Sequence, residues 1–166
     1  LNTGPGWPAL AAALTMEASA GAAAIAATGT PSIPATAALP QTGPALAPAL
    51  LFFLRALTGQ SPPEIFGQRL LPLLEAAGQA ALGRRVMEEF GQHARLANEA
   101  VGQDWRVAAV PLLHDGALEQ VRFYLRARGR DDGDAAEQGN RFVVEVDLSR
   151  LGRLQLDGFV HHKRFD

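Results

Sequence analysis

The sequence predicts an α+β fold, in which a run of helices precedes a mostly antiparallel sheet. Apolar residues recur at helical spacing as far as Val101, and from Gln103 onward they alternate with a period of two. A tight-turn sequence, His114-Asp115-Gly116, separates the first two alternating segments. Because the helical and strand patterns are segregated along the chain, we expect the helices to pack together on an antiparallel sheet.

Length and composition predict a globular domain with a sizeable core. The chain has 166 residues, of which 48% are hydrophobic and 19% are charged. Its net charge of −2 and pI near 6.1 give no general electrostatic case for binding nucleic acid or anionic lipid. The absence of cysteine excludes disulfides, thiolate zinc sites and cysteine nucleophiles. No secretory signal is recognisable, so we expect a cytoplasmic protein.

The first part of the chain, residues 1–48, is predicted to be an Ala/Pro-rich leader or linker. The first fifty residues hold seventeen Ala, seven Pro and one charged side chain, Glu17. Such a segment buries little area per residue and is expected to be poorly ordered. Within it, Pro8 marks a helix start, and Ala9–Ala27 is a poor membrane span because it is mostly Ala. The prolines between Gly29 and Pro48 favour extended chain.

Residues 49–102 are predicted to be helical. Leucines and phenylalanines crowd into Leu50–Leu57, which predicts a buried helix that ends at Gly59. Ser61 and Glu64 have the spacing of a capping box, with prolines between them. Pro72 is expected to kink or break the helix that follows.

The last helix has the clearest pattern. Its packed face is expected to consist of residues at helical spacing, namely Leu82, Val86, Phe90, Ala94 (or His93), Ala97 and Val101. Its solvated face is expected to consist of Glu88, Glu89, Gln92, Arg95 and Glu99.

Residues 103–166 are predicted to form a β-rich module that is truncated at its C-terminus, because Asp166 ends a strand-like segment. Pro111 indicates an edge strand or a strand end. Four strands are expected. The first carries Trp105, Val107 and Ala109; the second places Val121, Phe123 and Leu125 opposite Arg122, Tyr124 and Arg126; the third points Phe142, Val144, Val146 and Leu148 inward; and the fourth contains Leu154, Leu156 and Phe159.

No catalytic constellation is found, and we predict a protein that is not an enzyme and has no cofactor and no metal. The sequence contains no nucleophile elbow and no phosphate-binding glycine loop. His161 and His162 are adjacent on a predicted strand, so their side chains point to opposite faces and do not converge on one ion. Glu145 and Asp147 are interpreted as a solvated strand face rather than a catalytic pair.

A basic patch on one strand has two interpretations. Arg122, Arg126 and Arg128, interleaved with Tyr124, would suit the stacking and phosphate contacts of a nucleic-acid surface. The acidic residues of the neighbouring strand would instead pair with these arginines across the sheet, and we favour that interpretation. We therefore predict no nucleic-acid partner.

The segment from Val144 to Leu156 resembles the signature of the flagellar hook-length control protein, C-terminal domain family. An apolar-alternating strand runs into a turn that ends in Leu151-Gly152, and a second alternating strand follows with Leu154 and Leu156. A low-complexity Ala/Pro region before a compact C-terminal module is also similar to the family. Leu148 stands where the family usually has a turn proline, and the resemblance covers at most residues 105–166.

The resemblance implies an interaction protein that acts in switching of type III export specificity. Proteins of that family are exported through the flagellar type III apparatus, and their C-terminal domain contacts the cytoplasmic part of the export-gate switch protein. No membrane insertion is expected. We expect the partner-binding residues to surround the turn, and they are Arg150, Leu151, Gly152, Arg153 and Gln155. Gly152 is expected to adopt a backbone conformation that favours glycine, and Leu151 to pack rather than contact the partner.

Two alternatives stay open at this point. The first is a generic cytoplasmic binding or scaffold domain with an unrelated protein partner, which an exposed apolar patch around Leu50–Leu57 would favour. The second is a metal-dependent hydrolase built around His161, His162 and Asp157, which convergence of both imidazoles on one pocket would favour.

Overall fold

The protein has an α+β fold, as the sequence predicts, in which helices pack on an antiparallel sheet. The computed structural model describes residues 6–29, 34–101, 105–126, 139–148, 152–161 and 164–165. In these ranges the helices are α1 (Pro8–Thr28), α2 (Leu46–Thr58), α3 (Leu71–Ala76) and α4 (Ala80–Asn98), with a 3₁₀ turn at Ala35–Ala38 and a π-helical turn at Phe66–Leu70. The strands are β1 (Ala100–Val101), β2 (Trp105–His114), β3 (Ala117–Arg126), β4 (Gly139–Leu148), β5 (Gly152–His161) and β6 (Arg164–Phe165).

The sheet is an antiparallel meander in which strand order follows chain order from β1 to β6. Asp115 and Gly116 both have positive φ, at 49° and 77°, and form the two-residue loop between β2 and β3. This geometry matches the twist of an antiparallel hairpin, so the predicted turn is confirmed. Pro111 pairs with Gln120 on one side, while β1 reaches only Trp105 and Arg106 on the other. Its missing N–H therefore costs no ladder bond.

The helices enclose an apolar core in which Phe53 of α2 lies among other aromatic rings. Its ring centroid is 5.8 Å from that of Trp7, 6.4 Å from that of Phe66 and 6.3 Å from that of Phe90. All three pairs are edge-to-face, an arrangement that aromatic quadrupoles favour. Helix α4 carries this core onto the sheet by packing across β2.

Helix α1 is part of this core over its first half, which differs from the low burial expected of a leader. Leu10 and Ala13 are fully buried, and Trp7 just before the helix is 5% exposed. Trp7 and Leu10 supply the apolar area that the alanines lack. The second half of the helix shows the low burial that the composition predicts, because residues 22–27 are exposed.

Two buried carboxylates connect α1 to other parts of the chain. Glu89 of α4 accepts hydrogen bonds from the backbone N–H groups of Ala9 (3.0 Å) and Leu10 (2.9 Å). Glu17 accepts from the N–H of Ala35 through both carboxylate oxygens, at 2.7 and 2.9 Å. The prediction that Glu89 lies on a solvated face was wrong, because its carboxylate satisfies N-terminal amides of a helix that has no side-chain cap of its own.

The segment before α4 differs from the sequence interpretation in two places. Helix α2 begins at Leu46 and contains Pro48, which sits in the first turn where no intrahelical N–H is needed. The predicted capping box does not form, because Phe66 N–H donates to the carbonyl of Pro63 and the helix starts after that proline. The Ser61 hydroxyl instead donates to the carbonyl of Gly59, at 3.3 Å.

Pro72 is accommodated by the π-helical turn that precedes it. This turn, Phe66–Leu70, runs directly into α3, so Pro72 stands in the first turn of a new helical segment. The π-helical turn interrupts the regular α-helical hydrogen bonding just before Pro72, which has no N–H to donate. The predicted break therefore lies one turn before the proline.

The predicted packed face of α4 is confirmed, with one exception. Val86, Phe90, His93, Ala94 and Ala97 are all buried, so the helix buries both of the residues that the spacing left as alternatives. Val101 lies outside the helix, in β1, and is half-exposed at 51%.

His93 is held in the core without a partner for one of its ring nitrogens. Its Nε2–H donates to the carbonyl of Gly6 at 3.0 Å, and its ring stacks on that of Trp7 with centroids 4.0 Å apart. No described group bonds its Nδ1 atom. Burial lowers the pKa of His93; the bond to Gly6 opposes this shift and the charge of Arg122 adds to it.

The helical layer does not extend over the whole sheet. Ala108 and Val110 of β2 lie in the core, and Phe123 of β3 packs against it. The register places Leu154 and Leu156 of β5 on this same face, where they are 49% and 66% exposed. The prediction of alternation is confirmed, but the apolar face of the far strands is not covered in the described part of the chain.

Replacing Glu89 by Gln is expected to lower the free energy of unfolding by about 1–2 kcal/mol. The two carboxylate oxygens of Glu89 each accept a bond from one helix amide, whereas a glutamine side chain has only one oxygen that can accept. Urea denaturation of the variant and of Glu88→Gln, a change at the adjacent exposed position, measures the effect. Equal stability of the two variants would contradict the capping role of Glu89.

The free energy of unfolding is expected to fall as the pH drops below about 6.5, because His93 is protonated in the unfolded chain while it stays neutral in the folded chain. A histidine with a lowered folded pKa contributes fully above the unfolded pKa and progressively less below it. This one group changes the free energy of unfolding by at most about 1.4 kcal/mol per pH unit. Denaturation of wild type and His93→Phe between about pH 7.5 and 5.5 tests it. Parallel curves would refute the assignment.

Candidate protein-interaction site

The face of the sheet opposite the helices carries a shallow groove. The strand registers align Val107 with Tyr124, Tyr124 with Val143, and Glu145 with Gln155 across four strands. These side chains lie opposite Ala108 and Val110, since successive residues of a strand alternate between faces. The groove has a volume of about 340 Å³, and we call it the open-face groove; its lining residues are Val101, Trp105, Val107, Tyr124, Val143, Glu145 and Gln155.

The lining of the groove is mainly apolar and aromatic. Trp105, Val107, Tyr124 and Val143 are all half-buried, so their side chains keep solvent-accessible surface inside the concavity. Grooves of this kind, with few polar groups, bind apolar side chains of partners or small apolar ligands. Sequence reasoning missed the groove, because Trp105 and Tyr124 are nineteen positions apart and only the hairpin register places them on one face, with Tyr124 opposite Val107 and Trp105 diagonal to it.

An ion pair lies under one wall of the groove. Arg122 Nη1 is 3.1 Å from Glu145 Oε1, and both side chains are almost fully buried, at 7% and 5% exposed. The predicted cross-strand pairing of the basic patch is therefore confirmed at Arg122, and Arg128 lies outside the described residues. The Arg122 guanidinium also donates to Gln120 Oε1 at 3.1 Å. These contacts neutralise the charge of Arg122, while the Arg126 side chain is exposed.

Tyr124 stands beside this pair. Burial raises the pKa of Tyr124, and the nearby Glu145 carboxylate raises it further, while Arg122 and Arg153 oppose the shift. The hydroxyl is therefore a neutral hydrogen-bonding group at physiological pH. Tyr124 contributes an aromatic wall with one polar end, which is typical of protein interfaces.

Exposed ion pairs extend from the groove along β4 and β5. Arg153 lies 3.8 Å from Glu145 and 3.4 Å from Asp147, with its side chain 46% exposed. Arg141 binds Asp157 in a bidentate pair, with Nε 3.1 Å from Oδ1. Hydrogen bonding to Arg141 lowers the pKa of Asp157. Both carboxylates of β4 on this face therefore have cationic partners. The interpretation of a solvated strand face is confirmed for Asp147, whose side chain is 52% exposed, and is wrong for Glu145, which is buried.

The predicted partner-binding residues divide into two groups. Arg150 and Leu151 lie outside the described residues. Gly152 has φ +77°, so the expected left-handed conformation at the end of the turn is confirmed. Arg153 and Gln155 follow on the open face, where Gln155 lines the groove and Arg153 contacts Glu145 in its wall. The structure thus places one of the five predicted residues, Gln155, in the groove, and a second, Arg153, beside it.

The histidines of the alternative metal site are not placed in the structure. The backbone of His161 lies in β5, and its side chain and His162 fall outside what the structure describes. Asp157, the third proposed ligand, is bound by Arg141. Among the described residues no group of three or more His, Asp or Glu side chains could hold a metal ion.

A second exposed apolar surface lies on α2. Leu51 and Phe52 are 67% and 56% exposed, while Phe53 and Leu57 of the same helix are buried. The prediction of a buried helix is therefore confirmed for one face and wrong for the other. We call Leu51 and Phe52 the α2 patch.

Helix α1 is long and apolar enough, by length and composition, to cross a membrane over Pro8–Ala27. This differs from the expectation of a poor span. A core helix or a signal sequence passes the same test, and 28% of this span is buried inside the protein.

Comparison of the chain with protein-family models, curated proteins and solved structures finds no match.

Replacing Arg122 by Met is expected to lower the free energy of unfolding by about 3 kcal/mol, because Glu145 would remain buried without its main partner. The double variant Arg122→Met/Glu145→Leu is expected to regain most of that loss. Arg141→Met, which removes an exposed pair on the same face, serves as control and should stay near wild type. Chemical denaturation that ranks the double variant below Arg122→Met would contradict this account.

Proposed function

We propose that this chain is a non-enzymatic protein-interaction module that binds its partner through the open-face groove. The observation that carries the proposal is the groove itself, where apolar and aromatic side chains from β1 to β4 line a concavity on a sheet face opposite the helices. Apolar concavities that stay open on a folded domain are typical of binding sites.

The chemistry of the groove favours an apolar anchor from a protein. Trp105 and Tyr124 are residue types enriched in interface hot spots, and both line the groove together with aliphatic side chains. Around this centre, Arg153 and Asp147 supply exposed charge of both signs. An apolar centre with a polar rim is the common anatomy of a protein interface.

The resemblance around Leu151-Gly152 indicates which partner to test. We propose the cytoplasmic domain of the flagellar export-gate switch protein, contacted in the cytoplasm during the switch of type III export specificity. Gln155 and Arg153 support this choice, since two residues expected at the contact from the resemblance lie in or beside the groove.

A second candidate function follows from the α2 patch. Two large apolar side chains exposed at consecutive positions of one helix would support a scaffold domain with an unrelated partner. The patch and the groove are built on different elements, and a substitution at one leaves the other unchanged.

Titration calorimetry of the whole chain with that cytoplasmic domain tests the proposal. Saturable binding is expected, and Tyr124→Ala should weaken it by about tenfold or more because the variant removes an aromatic wall of the groove. Phe52→Ala, a comparable truncation on α2, is expected to bind like wild type.

The opposite ranking would favour the α2 patch as the docking surface. Absence of binding with all variants folded would reject this partner, and unaltered binding by Tyr124→Ala would reject the groove. Circular dichroism of each variant shows that the comparison is made on folded protein.

A further inference from the structure

Within the described part of the chain, strand β5 has an open edge on the side away from β4. It pairs with β4 along its whole length, from Gly152 to His161, but with β6 only at Val160 and His161. Between residues 152 and 158, no described strand meets its outer edge. An edge with unpaired N–H and C=O groups is a template for addition of another strand.

The side chains on this edge are arranged symmetrically about Gln155. Arg153 and Asp157 stand two positions before and after it, and Leu154 and Leu156 stand directly before and after it. Arg153 and Asp157 share the open face of the sheet, whereas the two leucines share the other face. The segment therefore presents opposite charges at equal distances from its centre and identical apolar groups between them.

From this arrangement we infer that β5 pairs with β5 of a second copy of the chain, antiparallel and centred on Gln155. In this register Arg153 faces Asp157 of the second copy, and Asp157 faces its Arg153. On the opposite side of the sheet, Leu154 faces Leu156 of the second copy, and Leu156 faces its Leu154. Directly opposed side chains of this kind stabilise antiparallel pairs when they are oppositely charged or apolar.

The charges select this register over its neighbours. A two-fold axis perpendicular to the sheet requires one residue of the strand to face its own copy. If Arg153 or Asp157 occupied that position, like charges would face each other, which is unfavourable. With Leu154 or Leu156 at the centre, Arg153 and Asp157 would no longer face each other.

The side chains that form the interface are accessible and already oriented. Arg153 and Asp157 are 46% and 45% exposed, and each is extended across the sheet by an ion pair within its own protomer. Addition of the second strand would join these pairs into an alternating row of charges. On the other face, Leu154 and Leu156 are among the most exposed large apolar side chains of the described chain, and pairing would bury part of that surface.

The dimer is expected to be weak, because a pair of strands seven residues long forms an interface below the standard size. Its two open-face grooves would lie on one face of a continuous sheet, since the symmetry axis is perpendicular to the sheet. Two groove sites on one face would let a partner with two anchors bind with increased avidity.

Analytical ultracentrifugation of the 166-residue chain tests the inference. Wild type is expected to show a reversible monomer–dimer equilibrium between about 10 and 500 µM. Arg153→Asp places Asp opposite Asp, and Asp157→Arg places Arg opposite Arg. Each variant alone is expected to weaken self-association by at least about tenfold.

An equimolar mixture of the two variants provides the matched control. In the mixed dimer both facing pairs have opposite charge again, so the mixture is expected to associate about as well as wild type. Association of the mixture also shows that both variants are folded at β5.

Three results would overturn the inference. Wild type that stays monomeric at about 500 µM excludes the dimer. Variants that each associate like wild type exclude this register. A mixture of folded variants that fails to associate excludes the facing of Arg153 and Asp157. None of these results bears on the groove, whose partner is tested with Tyr124→Ala.

Discussion

The architecture depends on one constraint, which is that the helical layer packs across β2 while the sheet continues through β3, β4 and β5. Where α4 covers the sheet, Ala108 and Val110 join the core. Beyond that cover, apolar side chains such as Leu154 and Leu156 stay exposed. Large exposed apolar surface on a folded domain indicates contact with another molecule. The exposed leucines of β5 follow from this incomplete cover, whereas the groove lies on the other face of the sheet, away from the helices.

Polar groups inside the fold are satisfied over long distances in sequence. Glu89 is eighty positions from Ala9, and its carboxylate binds the amides that begin α1. Arg122 and Glu145 likewise come from separate strands and neutralise each other with little water nearby. A buried carboxylate without such a partner would be strongly destabilising. The position of α1 and the packing of the open face are therefore each tied to particular charged residues.

Local patterns in the sequence predicted the elements well, and long-range contacts explain where they did not. Alternation and the Asp115-Gly116 turn sufficed for β2 and β3, because register follows from turn geometry and face alternation. By contrast, Glu89 was interpreted as solvated. Helical spacing indicates which residues share a face, but it does not show that the first amides of α1 need an acceptor from α4. Composition likewise underestimated residues 7–14, where Trp7 and Leu10 make an alanine-rich segment part of the core. Only the strand register could reveal the groove.

The two faces of strand β5 have different surroundings. Gln155 points into the groove, while Leu154 and Leu156 point to the other side of the sheet, where no helix packs on them in the described chain. Apolar residues at both of those positions are unnecessary for a solvated edge strand and carry a risk of unspecific strand addition. The flanking Arg153 and Asp157 reduce that risk, because they face each other in the register centred on Gln155 and repel a second β5 when either residue faces its own copy. The same charges that keep the edge soluble thus specify which strand can pair with it.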